Sequence, residues 1–277
     1  MPLYDEVSLK CSELTTKRYS TSFSLGIFFL DKKLRAHIYS IYGFVRFADE
    51  IVDTFHDKDK PALLAKFKED TYAAIRDGIS LNPILHSFQR VVNTFHIRKE
   101  WIDRFLESME MDLEKKEYSE EKYKTYILGS AEVVGLMCLH VFTDGNDAEF
   151  DRLKPYAMKL GSAFQKINFL RDVKADSEGL GRTYFPGIDL SHFTAAEKAL
   201  IEADIQKDFD AGLEGIRMLP RSSRRGVYLA YYYYLRLFRK IRKMPPERIL
   251  HERVRIPNIQ KLYFMIKSNL KHQLNLI

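Results

Sequence analysis

The stretch RAHIYSIYGFVRFADEIVDT, residues 35–54, sets two carboxylates into an otherwise apolar helical pattern. Ile41, Phe44, Val45, Ala48, Ile51 and Val52 recur at the three- and four-residue spacing of a helix that is largely buried. Asp49 and Asp53 stand four apart, so both project from one face, about 6 Å from each other along the axis. Two like charges in so apolar a setting cost several kcal/mol or take up protons, unless something cationic compensates them. Pairing with Arg46 and with lysines of a neighbouring helix would account for this stripe if it stood alone.

It does not stand alone. In GSAFQKINFLRDVKAD, residues 161–176, Asn168, Asp172 and Asp176 follow at i, i+4 and i+8, with Gln165 about one turn earlier and Arg171 adjacent. A second helix therefore presents a stripe of oxygen donors. Two such stripes suit a hard cation, since Mg2+ takes carboxylate, amide and water oxygens and shares its shell with substrate phosphate. A diphosphate leaves an allylic carbon only if its growing charge is neutralised, and metals with arginines do this.

Around these segments apolar residues keep helical spacing almost throughout, and no stretch of four to eight residues alternates cleanly as a strand does. The chain reads as all-helical. Asn82-Pro83 opens a helix expected to run through Val92, Gly78 ends the one before it, and Thr194-Ala-Ala-Glu197 has capping-box spacing for a helix toward Arg217. Residues 177–191, SEGLGRTYFPGIDLS, carry three glycines and a proline and read as a loop. With 277 residues, 45% of them hydrophobic, and no repeat or linker, one domain is expected.

The apolar runs Phe23–Leu30 and Val227–Leu237 are too short to span a bilayer, and the N-terminus MPLYDEVSLK has no signal-peptide pattern, so a soluble, cytoplasmic protein is expected. Cys11 and Cys138 have no metal-ligand spacing and are expected to be reduced and buried. Lys and Arg exceed Asp and Glu by 44 − 38 = 6, with much of the excess in RSSRRG, LRLFRKIRK and ERVR. Sign alone leaves nucleic acid, membrane surface and diphosphate substrates open as partners. No nucleic-acid-binding motif accompanies the charge, so nucleic acid is the weakest of the three.

YSTSFSLG (19–26), IYGFVRFADEIVD (41–53), SMEMDL (108–113), YILGSAEVVGLM (126–137), GSAFQKINFLRDVKAD (161–176) and GRTYFP (181–186) run collinearly over nearly the whole chain. With these motifs the chain resembles the squalene and phytoene synthase family, which forms head-to-head isoprenoid products on the class I terpenoid synthase fold. The resemblance implies an all-α bundle with a central active-site cavity. It implies that Asp49 and Asp53 hold one Mg2+ cluster and that Asn168, Asp172 and Asp176 hold the other. It sets Arg46, Arg171, Arg182 and Arg253 against diphosphate oxygens, where a planar fork suits phosphate. Tyr42 and Gln165 become further substrate contacts, and Tyr126 corresponds to the tyrosine beside the reacting carbons. Tyr19 is a departure, because relatives often carry His or another polar residue there.

Small residues on the motif helices, Gly26, Gly43, Ala131, Gly135, Gly161 and Ala163, are expected to open a tunnel lined by Phe23, Ile27, Val134, Leu160 and Phe164, with Tyr39 narrowing its far end. SMEMDL, AEVVGLM and GRTYFP stand nearer to the phytoene-forming members. The implied reaction is therefore condensation of two geranylgeranyl diphosphates with Mg2+ and without NADPH. Gly179-Leu-Gly181 is no dinucleotide fingerprint, since position 184 is Tyr and no strand precedes it. Squalene or dehydrosqualene formation from farnesyl diphosphate is the close alternative, and a non-catalytic assembly protein the distant one. A hydrocarbon product and the cluster Arg236, Arg239, Lys240, Arg242 and Lys243 together lead us to expect weak peripheral contact with the inner membrane surface.

Overall fold

The computed structural model describes residues 2–113, 118–175, 185–188, 193–251 and 253–254, with Lys174 and Ala175 by their backbone only. Asp176 and Arg182, and most of the expected loop 177–191, lie outside the described residues. Within them the chain forms α1 (Leu3–Tyr19), α2 (Thr21–Phe28), α3 (Lys32–Asp53), α4 (Lys60–Asp77), α5 (Pro83–Phe95) and α6 (Lys99–Asp112). There follow α7 (Glu120–Ile127), a π-helical turn (Leu128–Glu132), α8 (Val133–Phe142), α9 (Asp147–Ala175), α10 (Ala195–Met218), α11 (Arg221–Arg242) and α12 (Pro246–His251).

Cap chemistry sets most boundaries. α3 begins a turn earlier than apolar spacing indicates, because the Asp31 side chain accepts from the Lys33 N–H. Asn82 caps α5, which runs past Val92 to Phe95 and is closed by His96 at φ 52°. Gly78, at φ 69°, ends α4 in the left-handed region that a residue without Cβ adopts freely. The capping box at Thr194 and Glu197 forms and opens α10.

Packing starts from α3. The Phe44 ring stacks on Phe88 of α5 at 3.9 Å between centroids, and Phe67 of α4 and Phe105 of α6 close around it at 5.5 and 5.4 Å. All but Phe67 are fully buried, and this cluster fixes the outer face of α3. α1 packs on the same helix in an inverted way. Its buried side chains are Asp5, Ser8, Ser12 and Thr16, while Leu3, Val7 and Leu14 are exposed. Small polar groups let α1 approach closely: Ser12 Oγ lies 2.6 Å from Ser87 Oγ, and a Cβ on Gly43 would come within 2.8 Å of Ser12 Oγ. Asp5 is satisfied inside by His86 Nε2 at 2.9 Å and by Arg90.

On the other side α9 is clamped to α10. The buried Lys166 ammonium donates to Asp208 at 2.6 Å and to Asp204, and Lys159 meets Asp208 at 3.0 Å. Gly212 and Gly215 of α10 receive Leu160 and Tyr156, so the two backbones lie close.

The helical stretch Glu120–Phe142 is long and apolar enough to cross a membrane by length and composition, and half of its most apolar window is buried in the bundle. It exceeds both of the apolar runs singled out from the sequence, because the π-turn joins α7 to α8 without a break. Gly129 sits in that turn against α6, where a Cβ would fall 2.4 Å from the Arg104 carbonyl oxygen and 2.7 Å from Ser108 Cβ. Gly129→Ala is therefore expected to cost about 1–3 kcal/mol and lower Tm by roughly 3–10 °C. Thermal unfolding followed by circular dichroism measures this, and an unchanged Tm would remove the contact's role.

Candidate active site

Between α2, α3, α8, α9, α10 and α11 lies a cavity of about 1210 Å³. Its lining changes character along its length. One end, the mouth, carries Arg46, Asp49 and Asp53 of α3, Asp112 at the end of α6, Asn168, Arg171 and Asp172 of α9, and Arg253. The remainder is mainly apolar, with Phe23, Ile27, Val134, Leu160 and Phe164 all in the wall.

Asp49 is the most perturbed group at the mouth. Burial raises its carboxyl to about 8; Arg46 works against that rise, while Asp53, Asp112 and Glu50 add to it. The guanidinium of Arg46 donates to Glu50 at 2.7 Å, stands 3.7 Å from Asp49 and lies 4.4 Å from the Tyr19 ring centre. Burial opposes its charge, but Asp49 and Glu50 outweigh that and raise its pKa. Arg46 thus meets both Asp49 and Glu50 on its own helix.

On α9 the pattern is reversed. Asp172 accepts from Arg171 Nε at 3.0 Å and from Arg253 Nε at 2.7 Å, so two guanidiniums share one carboxylate. Burial opposes the charge of Arg171, and Asp172 holds its pKa above the ordinary arginine value. Arg253, 81 residues from Asp172 in sequence, is brought there by the chain leaving α12. Asn168 donates to Gln165 Oε1 at 3.5 Å and accepts from the Tyr234 hydroxyl at 3.3 Å.

Tyr126 is buried, and its hydroxyl donates to Asp112 Oδ2 at 2.7 Å. Asp112 belongs to SMEMDL, yet the sequence reading gave it no role. Its signal was an acid placed on the apolar face of α6, one and two turns beyond Met109 and Phe105. Tyr42, beside Phe23 at 5.6 Å between ring centres, has its hydroxyl pushed up to about 12 by burial and by Asp49. Tyr234, also missed, stacks on Phe164 at 4.0 Å and stands 5.9 Å from Phe23, so three rings form one side of the cavity beneath Asn168.

Three expectations about the lining change. Gly43 and Ala163 do not line the cavity: Gly43 seats α1, and Ala163 is fully buried in the core. Tyr39 is also outside it, because its hydroxyl end lies among Lys17, Glu13 and Arg35 rather than in the wall. Gly212, Gly215 and Gly226 take part instead. Cys138 is half-buried in the wall, and burial pushes its thiol up to about 12.

Among the described residues no three His, Cys, Asp or Glu side chains converge closely enough to enclose a metal unaided. The donor set still fits Mg2+. Every candidate is a hard oxygen, burial and the neighbouring carboxylates together raise the carboxyl of Asp49, and Mg2+ keeps several waters and shares its shell with phosphate instead of filling it from protein. Zinc, which favours nitrogen and sulfur ligands, has no such set at the mouth among the described residues.

The chain is 28% identical over 190 residues to a presqualene diphosphate synthase of Rhodopseudomonas palustris, a match covering 66% of this chain and 65% of that protein. It is 25% identical over 258 residues to phytoene synthase 1, chloroplastic, of Solanum lycopersicum, covering 86% of this chain and 62% of the other. The chain thus spans less than two thirds of the length of either relative. The crystal structure of a dehydrosqualene synthase in complex with ligand superposes with a TM-score of 0.82 at 19% identity, over 97% of this chain and 98% of that one. That likeness shows the fold, an all-α bundle of the class I terpenoid synthase type. The squalene/phytoene synthase family model matches residues 16–260 and so takes in α2 through α12, every helix that builds the cavity, and the chain belongs to that family.

Proposed function

We propose that the protein condenses two prenyl diphosphates head to head, that it uses Mg2+, and that its product is phytoene made from two geranylgeranyl diphosphates. The observation that supports this most directly is one continuous cavity with a carboxylate and arginine mouth and a long apolar body. A diphosphate fits the first and a prenyl chain the second.

Asp49, Asp53, Asn168 and Asp172 would hold Mg2+, with Asp176 beyond the described residues as a further ligand. Bound there, the metal supplies charge neutralisation to a departing diphosphate. Arg46 and Arg171 offer planar forks to the same oxygens. Arg253 would exchange Asp172 for phosphate as substrate enters, which releases the carboxylate for its own role. Tyr126, whose hydroxyl is held by Asp112, would stand beside the reacting carbons.

In the first half-reaction the allylic C–O bond breaks and its electron pair leaves with diphosphate. The double bond of the second molecule attacks the resulting cation, and proton loss closes a cyclopropane. In the second half-reaction the remaining diphosphate leaves, the skeleton rearranges, and loss of another proton gives a central double bond without any reductant. The stacked rings of Phe164 and Tyr234, with Phe23, exclude water and turn π faces toward the passing cation. A second possibility, stopping at the cyclopropyl diphosphate made from farnesyl diphosphate, draws support from the presqualene diphosphate synthase relative.

Chain length is tied to Ile27, buried in the cavity wall one turn after Phe23. Product analysis should find phytoene from geranylgeranyl diphosphate with Mg2+ and no NADPH, and Ile27→Phe should shift preference toward farnesyl diphosphate. A wild-type preference for farnesyl diphosphate, or hydrocarbon formed only with NADPH, would sink the phytoene assignment. Asp53→Asn and Asp172→Asn should each lower turnover roughly 100-fold or more while the fold persists, and EDTA should do the same. Full activity in EDTA would count against the metal.

The raised carboxyl of Asp49 also predicts a pH dependence of the metal-free protein. Between an ordinary aspartate's 3.8 and about 8, the folded chain keeps a proton that the unfolded chain has lost. Stability then falls as pH rises through that window. Asp49→Asn abolishes this contribution, so at pH above about 8 its Tm should exceed wild type by roughly 2–4 °C. Thermal melts in EDTA that show no gain at that pH would refute the burial of the charge.

A further inference from the structure

The two ends of the cavity differ in what surrounds them. Asp53 and Asp172 lie at the C-terminal ends of α3 and α9, at the mouth. Leu30, Leu219 and Gly226 line the opposite end, next to the N-terminal ends of α3 and α11. The length of α3 separates the two ends by roughly 30 Å.

Outside that far end two segments meet: FFLDKKLR, residues 28–35, and RMLPRSSRR, residues 217–225. The Asp31 N–H donates to the Ser222 carbonyl at 2.8 Å, and the Arg225 guanidinium lies 4.4 Å from the Phe29 ring centre. Arg35 lies 4.9 Å from the Phe28 ring centre. Together the segments hold seven basic residues, Lys32, Lys33, Arg35, Arg217, Arg221, Arg224 and Arg225, and one acid, Asp31, for 7 − 1 = +6. The whole chain also carries +6, so its other residues sum to zero. Lys32, Lys33, Arg217 and Arg221 are exposed, and Phe28 stands 56% exposed among them.

Phe28 adds an exposed ring to this basic face, held by Arg35 on one side and Phe29 on the other. Rings flanked by cations suit a headgroup boundary, where the ring enters the acyl edge and the cations meet phosphates. An anionic surface attracts these two segments, and the cavity mouth, about the length of α3 away, then faces the solvent. We propose that this far end docks on an anionic phospholipid bilayer, with Phe28 among the headgroups, Lys32, Lys33, Arg217 and Arg221 on their phosphates, and the mouth turned to water.

Hydrocarbon would then leave into lipid at the end where Leu30, Leu219 and Gly226 line the cavity. That route rests on the proposed function, whereas the docking does not. The placement differs from the one the sequence suggested, since Arg239, Lys240, Arg242 and Lys243 lie at the other end of α11, where Arg242 faces Glu202 at 3.8 Å.

Vesicle flotation of the full chain tests the docking without substrate, so its failure leaves the reaction assignment standing. Wild type should float with phosphatidylcholine vesicles that contain phosphatidylglycerol, not with phosphatidylcholine alone, and should detach at high salt. The triple variant Lys32→Glu, Lys33→Glu, Arg221→Glu should bind roughly tenfold more weakly or worse, and Phe28→Ser several-fold more weakly. The pair Arg239→Glu, Lys240→Glu should bind as wild type, with circular dichroism confirming the fold of each variant. Absence of binding by wild type, equal loss in the two charge-reversal variants, or preference for a single-stranded oligonucleotide over vesicles would overturn the proposal.

Discussion

A carboxylate set among other carboxylates and partly withdrawn from water is hard to keep charged, and Asp49, with its side chain 31% exposed, sits under that constraint. Its helix must be apolar to build the core, because Phe44 anchors α3 through a stack of rings. The same helix carries acids on its other side, toward the cavity. Burial raises the carboxyl of Asp49, Arg46 works against that rise, and Asp53, Asp112 and Glu50 add to it. A cation bound beside a carboxyl raised in this way favours its charged form.

The rest of the bundle keeps that mouth from collapsing. α3 is braced from outside by α4, α5 and α6 through rings, and by α1 through serine and glycine contacts that leave no slack. α9 is braced by buried Lys166 against Asp204 and Asp208 of α10. With both acid-bearing helices held from behind, the space between them remains open, crossed by ion pairs such as Arg253 with Asp172.

The fold was legible wherever helices bury apolar side chains at regular spacing, as α3 and α5 do, and where caps are local, as at Asn82 and Thr194. α1 would mislead any hydropathy pattern, since it buries Asp5, Ser8, Ser12 and Thr16. The acidic stripes were legible because i, i+4 spacing fixes a shared face. Asp112 and Tyr234 were not, because a lone acid and one tyrosine in a run of four carry no spacing signal, and their importance comes from partners Tyr126 and Asn168 on other helices. Small residues were legible as a class but not by duty: Gly43 seats a helix, whereas Gly212 and Gly215 border the cavity.

The π-turn at Leu128–Glu132 changes the angular phase of the helix that contains it. In an unbroken α-helix Tyr126 and Val134, eight residues apart, would point about 80° away from each other. Wider winding through five residues takes up most of that difference, and both side chains line the same cavity. The wall is therefore two α-helical registers joined by a phase shifter, so that a phenol at the mouth and aliphatic groups farther in share one line of sight. A lineage that lost a single residue in this turn would revert to an ordinary α-helix with the two positions seven residues apart and within about 20° of one line, so the turn is what lets the helix carry one extra residue without losing that alignment.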